Sequence, residues 1–463
     1  MIDVKEKETK NLKIAYVGGG SRGWAWGLMS DLASADDICG DVYLYDIDYQ
    51  AAQYNEIIGN KYNDLEDAKS KWHYRASRTL QEALTGADFV VISILPGTFD
   101  EMASDIHTPE KYGIYQSVGD TTGPGGIVRA LRTIPMFEVI GQAIRDYCPD
   151  AWVINYTNPM TVCVRTLYRV FPGIKAFGCC HEVFSTQTLL THALKDILGI
   201  EGVERHDIKT NVLGVNHFTW ITEATYENID LFDVYRQFGE KYWETGFNGV
   251  VQNWANKCFM CNERVKLDLF RRYGWIAAAG DRHLAEFCEG KWYLKDPETV
   301  EKWGFGLTTA TWRKSNLQSR LEKSRDLVSG KRTPEIKRTG EEGVNQIRAL
   351  LGRHELVTNV NVPNVGQIPN LPLGAVVETN AVFRSDKVTP IHAGEIPKEI
   401  YPLIARIAGE QELIVEAGLN RDLDMAFMAF VNDPLVTVSV DDARALFKEM
   451  LENTKDYLTM YSL

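Results

Sequence analysis

The sequence predicts an α/β fold: a parallel, doubly wound sheet in the first half, joined to a C-terminal α+β domain. Three observations carry the prediction. The apolar run Leu12 to Val17 ends in Gly18-Gly19-Gly20-Ser21-Arg22-Gly23 and leads into a helix-compatible stretch, Trp24 to Ala33. A second run, Asp41 to Tyr45, stops at Asp46. Strand and helix patterns then keep alternating, which is the signature of parallel strands joined by crossover helices.

The first strand–turn–helix unit has a specific chemistry. Gly18, Gly20 and Gly23 have the G-x-G-x-x-G spacing, with Ser21 inside the turn. Glycines permit the tight turn and let backbone N–H groups approach a pyrophosphate at the helix N-terminus. Asp46 ends the second strand, close to where an acid binds the adenosine ribose, and a carboxylate favours NAD over its 2′-phosphorylated relative. This is a Rossmann-type arrangement; a βα turn without nucleotide would use the same glycines.

A short helix around Leu80 to Leu84 precedes a strand at Ala87 to Ile94. A helix is predicted near Ile134 to Tyr147, and Trp152 to Tyr156 forms the next buried strand before Thr157-Asn158-Pro159. Ligands of such sheets lie beyond the strands' carboxyl ends, where Pro96, Asn158 and the stretch Cys179 to Phe184 fall. Asn158 before a proline also has the ordinary reading of a turn or cap. Cys180-His181 and the downstream Asn216-His217 offer a thiolate and imidazoles from two segments, a set able to hold a divalent transition metal with positions left open. The same residue types also fill cores: Cys is among the most buried residues, and a buried His ordinarily satisfies hydrogen bonds.

Beyond Glu182 the pattern changes, so the chain divides into residues 1–195, the nucleotide-binding domain, and 196–463, a domain for substrate, metal and oligomerisation. Phe184 to Leu198 reads as a helix, and Asp207 to Glu223 as strands carrying Asn216 and His217. Leu267 to Gly290 holds Tyr273, Asp281, Arg282, His283 and Glu286. Thr333 to Glu342 is charged and reads as a solvated face. Glu355 to Phe383 reads as strands and turns; Ile400 to Phe430 and Val440 to Leu451 read as helices, the latter with Asp441-Asp442 at its N-terminus. Cys258-x-x-Cys261 lacks a second pair and reads as structural thiols. Trp24 and Trp26 read as core or pocket walls.

Composition narrows the function. A chain of 463 residues with net charge −13 lacks the basic footprint of a general nucleic-acid binder. No run reaches the length of a membrane span, Met1 to Lys13 is polar rather than signal-like, and eight scattered cysteines do not suggest a disulfide framework. A soluble, cytoplasmic protein is expected.

Taken together, Gly18 to Ser21, Thr157-Asn158-Pro159, Cys180-His181, Asn216-His217 and the stretch Tyr273 to His283 resemble the NAD- and metal-dependent glycosidases of glycoside hydrolase family 4. The resemblance implies a dehydrogenase-like architecture, of the lactate and malate dehydrogenase kind, serving a hydrolase. It implies NAD and Mn2+ as cofactors, Cys180 and His217 as metal ligands, and Asn158 as a substrate contact. Cys180-His181-Glu182-Val183 is similar to the branch that cleaves α-galacturonides; other branches act on glucuronides, galactosides, glucosides or 6-phosphoglycosides. The implied chemistry is oxidation at C3 of the sugar, loss of the C2 proton, elimination, water addition and re-reduction.

Asp281, with Tyr273 as rival, stands where the family places its base, and His181 where some branches place the leaving-group acid. Asp120, Glu182, Asn216 and Arg282 complete the expected substrate set. The uronate carboxylate calls for a guanidinium, and Arg129, Arg132, Arg271, Arg272 and Arg282 are available. A homodimer or homotetramer is expected from the same resemblance. Two other classes share the dinucleotide pattern: a 2-hydroxy-acid dehydrogenase, which would accumulate NADH, and a non-catalytic NAD-binding sensor.

Overall fold

A computed structural model describes residues 11–248 and 259–463. Its main sheet has nine strands. Six are parallel: β1 (Asn11–Val17), β2 (Cys39–Tyr45), β3 (Trp72–Ser77), β4 (Phe89–Ile92), β5 (Trp152–Asn155) and β6 (Lys175–Gly178). A smaller sheet follows, made of β7 (Lys209–Val215), β8 (Phe218–Tyr226), β9 (Ile229–Asp230) and β10 (Ile276–Ala277). β11 (Leu356–Pro363), β12 (Val376–Arg384) and β13 (Lys387–Pro390) then return to the first sheet, giving the order β13-β12-β11-β6-β5-β4-β1-β2-β3.

The parallel half is doubly wound because its strands alternate between two cores. Ile14 and Tyr16 of β1 pack with Ala25, Met29 and Leu32 of the first helix, Trp24–Ser34. Ala15 and Val17 pack on the other face with Phe137, Ile140 and Ile144 of the long helix Gly123–Tyr147. The Val, Leu, Ile, Met and Phe side chains among these contribute about 1.5–3 kcal/mol each when fully buried. Strand order reverses between β1 and β4, and a crevice at that switch point is where such sheets take their ligands.

Three expectations change here. β3 stands where no strand was expected, although Trp72 and Tyr74 are buried on alternate positions. The long helix begins at Gly123 rather than near Ile134. Its glycine-rich start reads as loop, but these glycines allow close contact: a Cβ on Gly126 would meet the Thr121 carbonyl carbon at 2.5 Å, and one on Gly125 the Gly119 oxygen at 2.8 Å. Third, β11–β13 extend the first sheet antiparallel from β6 instead of lying within a separate C-terminal unit.

Residue 195 lies in the last turn of the helix Glu182–Leu198. Cys258 of the Cys258-x-x-Cys261 spacing and the N-terminal residues 1–10 lie outside the described residues. Among the described residues, no helix is long and apolar enough to cross a membrane.

Candidate active site

The glycine turn is shaped as its spacing requires. Gly18 adopts φ +91°, and a Cβ there would run into the Ser93 carbonyl. The Gly20 amide donates to Asp46 Oδ2 at 2.9 Å, Ser21 closes the turn by donating to the Gly18 carbonyl at 3.0 Å, and Gly23 directly precedes the first helix. Asp46 thus ties the end of β2 to the turn. A Cβ on Gly23 would strike the Arg320 guanidinium, whose Nη1 donates to the Arg22 carbonyl at 3.2 Å. Close backbone approach and a cation at a helix N-terminus fit a dinucleotide pyrophosphate.

Beyond the ends of β5 and β6, three segments converge with the β7–β8 turn. Asn158 Nδ2 donates to Asp120 Oδ2 at 3.4 Å, and Arg129 Nε donates to the Asn158 carbonyl at 3.1 Å. Thr121 Oγ1 donates to Asp120 Oδ1 at 2.8 Å and lies 3.0 Å from His217 Nδ1. His217 sits in the tight β7–β8 turn at φ +64°, and its ring stacks on His283 with centroids 3.8 Å apart. Glu182 Oε1 is 3.8 Å from His283 Nε2 and 3.9 Å from His181 Nε2, while Oε2 accepts the Gly280 amide at 2.7 Å.

A buried carboxylate that the sequence reading missed sits behind these groups. Glu378, on β12, accepts from Asn359 Nδ2 at 2.6 Å, Thr219 Oγ1 at 2.8 Å and Asn216 Nδ2 at 3.4 Å. Asn359 also donates to the Cys180 carbonyl at 3.2 Å. One carboxylate therefore braces both segments that carry Cys180 and His217.

Electrostatics separates the groups. Burial disfavours charge on Asp120, but Arg129, His283 and His217 outweigh it and hold the carboxyl at about 2. Glu182 is likewise held at about 2, against burial, by His283, His217 and His181. Burial, followed by the His283 charge, lowers His217 to about 3, leaving a neutral imidazole. Burial, then Glu378 and Glu182, push the Cys180 thiol well above its usual range.

A neutral imidazole, a thiol surrounded by carboxylates, and the buried, unpartnered Oδ1 atoms of Asn158 and Asn216 suit a divalent cation. Such a cation would offset the negative field that keeps the thiol protonated.

The structure separates other expected residues from this cluster. Asp281 is fully buried, and its Oδ1 accepts the Lys266 amide at 3.0 Å at the start of the helix Arg264–Tyr273. It clusters with Cys261 and Glu263, whose ligand-type atoms lie within 4.8 Å of one another. Lys266 Nζ, 2.6 Å from Glu263 Oε2 and itself buried, already supplies the neutralising charge. Burial and the Glu263 charge raise Asp281 to about 7. Among the described residues no hydrogen bond links it to the His217–His283 pair.

Tyr273 packs edge-on against Trp220 at 6.1 Å, and among the described residues no hydrogen bond joins it to the cluster. Arg282 donates through Nε to Gly306 O (3.2 Å) and through Nη2 to Ser117 O (2.9 Å) and Thr308 Oγ1, which makes it a bracket for the 117–121 loop.

The charged 333–342 stretch, read as solvated, folds onto the first helix and the site. Glu341 Oε1 lies 3.1 Å from His181 Nδ1, buried Glu342 pairs with Arg205, and Thr339 donates to Asp31. A cavity of about 390 Å3 opens there, lined by Trp24, Tyr156, Arg320 and Glu341. Trp24 is a pocket wall, as expected.

The chain is similar to known proteins over nearly its whole length. The model of the family 4 glycosyl hydrolases matches residues 13–196, and that of the family's C-terminal domain matches residues 212–436. An alpha-galacturonidase of Thermoanaerobacterium saccharolyticum is 65% identical, over 97% of each chain. The crystal structure of Bacillus subtilis lplD superposes with a TM-score of 0.91 at 53% identity, covering 95% of this chain and 100% of that one. The 6-phospho-beta glucosidase of Thermotoga maritima, solved with manganese, NAD+ and glucose-6-phosphate, shares the fold at a TM-score of 0.76 and 22% identity, covering 96% of this chain and 99% of that one. By these matches, the chain belongs to family 4 of the glycosyl hydrolases.

Proposed function

We propose that this chain hydrolyses α-galacturonides with NAD and a divalent metal, Mn2+ foremost. The observation that carries the substrate is the near-full-length identity of 65% to an alpha-galacturonidase. Bound NAD+ would supply reversible hydride acceptance at C3 of the sugar, and Mn2+ would supply Lewis-acid polarisation of the neighbouring sugar oxygens.

The chain's own residues do the rest. Gly18, Gly20, Ser21, Gly23 and Asp46 hold the dinucleotide, with Arg320 beside the turn. Cys180 and His217 hold the metal, braced by Glu378 through Asn216 and Asn359. Asn158 and Asp120 orient a sugar hydroxyl. With His181 Nδ1 directed at Glu341, Nε2 is the ring nitrogen left to give a proton to the departing oxygen. The C2 proton goes to a group within the cluster, the neutral imidazole of His283 rather than the weakly basic Glu182, and not to Asp281 or Tyr273. The reading includes a cytoplasmic location and a homodimer or homotetramer, the latter checked by light scattering.

The test is p-nitrophenol release from its α-D-galacturonide with NAD+, Mn2+ and a thiol reductant, each omitted in turn. Turnover requiring both additions, without net NADH absorbance, is the expected result. Net NADH formation would convert the reading to a dehydrogenase, and NAD binding without turnover on any glycoside would convert it to a sensor.

A further inference from the structure

If the substrate is a uronide, as proposed above, its distinguishing group is a carboxylate, best recognised by a planar guanidinium. Of the arginines expected for that role, Arg132, Arg271, Arg272 and Arg282 are engaged by other groups, and Arg129 already faces Asp120. Arg132 forms a buried pair with Asp105, Nη1 to Oδ1 at 3.1 Å. Arg272 pairs with Asp268, Arg271 lies 3.9 Å over the Trp243 ring, and Arg282 brackets the 117–121 loop. Arg129 donates through Nε to Asn158 and balances the charge of Asp120.

Arg313 differs from all of these. It lies in the first turn of the helix Ala310–Ser329, and its Nε is buried without a hydrogen-bond partner. Among the described residues its guanidinium has no ion pair. It lies 5.5 Å from the Phe259 ring, the same ring that carries Arg282 at 4.8 Å, and 5.7 Å from Trp312. The charged groups acting on it are Asp120 of the active-site cluster and the guanidinium groups of Arg282, Arg129 and Arg320.

Three guanidinium groups and one carboxylate act on Arg313, and an unpaired, partly desolvated guanidinium is costly unless an anion completes it. Arg320, seven residues along the same helix, is two turns or about 10 Å away, at the glycine turn. The helix thus sets one cation at the glycine turn and another beside Phe259, whose ring also carries the Arg282 that brackets the 117–121 loop.

We propose that Arg313 binds the substrate carboxylate and sets the preference for an acidic sugar. The test uses the NAD+- and Mn2+-loaded enzyme and its Arg313→Gln and Arg313→Lys variants, on p-nitrophenyl α-D-galacturonide and the uncharged α-D-galactoside. Losing a charge-assisted hydrogen-bonded pair should lower the galacturonide-to-galactoside ratio of kcat/KM about 10- to 100-fold in Arg313→Gln, mostly through KM, with partial retention in Arg313→Lys.

A parallel calorimetric titration compares D-galacturonate with D-galactose on the same loaded proteins. Binding preference for the acid that disappears in Arg313→Gln supports the proposal even if hydrolysis of the glycoside fails, an outcome that would sink only the α-galacturonidase reading. An unchanged ratio or unchanged preference overturns it. So does a weakened NAD+ affinity with an intact sugar preference, because Arg313 would then serve the cofactor phosphates.

Discussion

The segments that carry Cys180 and His217 are tied to one buried carboxylate. Glu378 accepts three side-chain donors, and two of them, Asn216 and Asn359, belong to or contact the segments of His217 and Cys180. Outer groups that orient metal ligands typically change metal affinity 10–100-fold when altered. Glu378→Gln should therefore weaken Mn2+ binding by about that factor, read by calorimetric titration of the NAD-loaded protein. An unchanged affinity would reduce Glu378 to a core polar group. Cys180→Ser should remove the thermal stabilisation that Mn2+ confers while sparing the shift produced by NAD+. Persistence of the Mn2+ shift would remove Cys180 from the ligand set.

Elements were legible where periodicity and glycine spacing acted locally. β1, the glycine turn and the first helix stand within a residue or two of expectation, because apolar alternation and the need for φ > 0 at Gly18 are sequence-local constraints. The start of the long helix was not legible, since Gly123-Pro124-Gly125-Gly126 has turn composition and only tertiary neighbours, Asp105, Gln116, Gly119, Thr121 and Leu435, explain those glycines. Gly126→Ala should push Thr121 off the helix and with it the Thr121–Asp120 and Thr121–His217 contacts. The expected outcome is a melting temperature lower by several degrees, from about 1–3 kcal/mol of overpacking, together with reduced activity. A variant with wild-type melting and kinetics would show that the loop yields without cost. For the site, the sequence named His217, Asn158 and Asp120, which the structure links through Thr121, and Cys180, whose carbonyl accepts from Asn359. Asp281 could not be sorted from them, because its partner Lys266 is defined only by the turn of the helix above it.

Across the whole molecule, residues far apart in sequence meet because β11–β13 attach beside β6. That attachment delivers Asn359 and Glu378 to the segment after Gly178, and no local pattern in Glu355 to Phe383 announces it. A second long-range tie has a measurable pH signature. Glu286, fully buried in the second half of the chain, accepts the Val118 and Gly119 amides at 2.7 and 2.9 Å, while its Oε2 has no partner. Burial raises its pKa to about 8 although those amides and Arg282 favour ionisation. The folded chain then holds a proton that the unfolded chain releases above the ordinary value of 4.5. Stability from this group is fully present below pH 4.5 and is lost as pH rises towards 8, at about 1.4 kcal/mol per pH unit over that window. Glu286→Gln keeps an acceptor for both amides and cannot titrate. Its melting temperature relative to wild type should therefore climb steadily from pH 5 towards pH 8, as scanning calorimetry across about that range would record. Parallel melting curves for the two proteins would mean that Glu286 is already ionised in the folded state, stabilised by its two amides and Arg282 despite its burial.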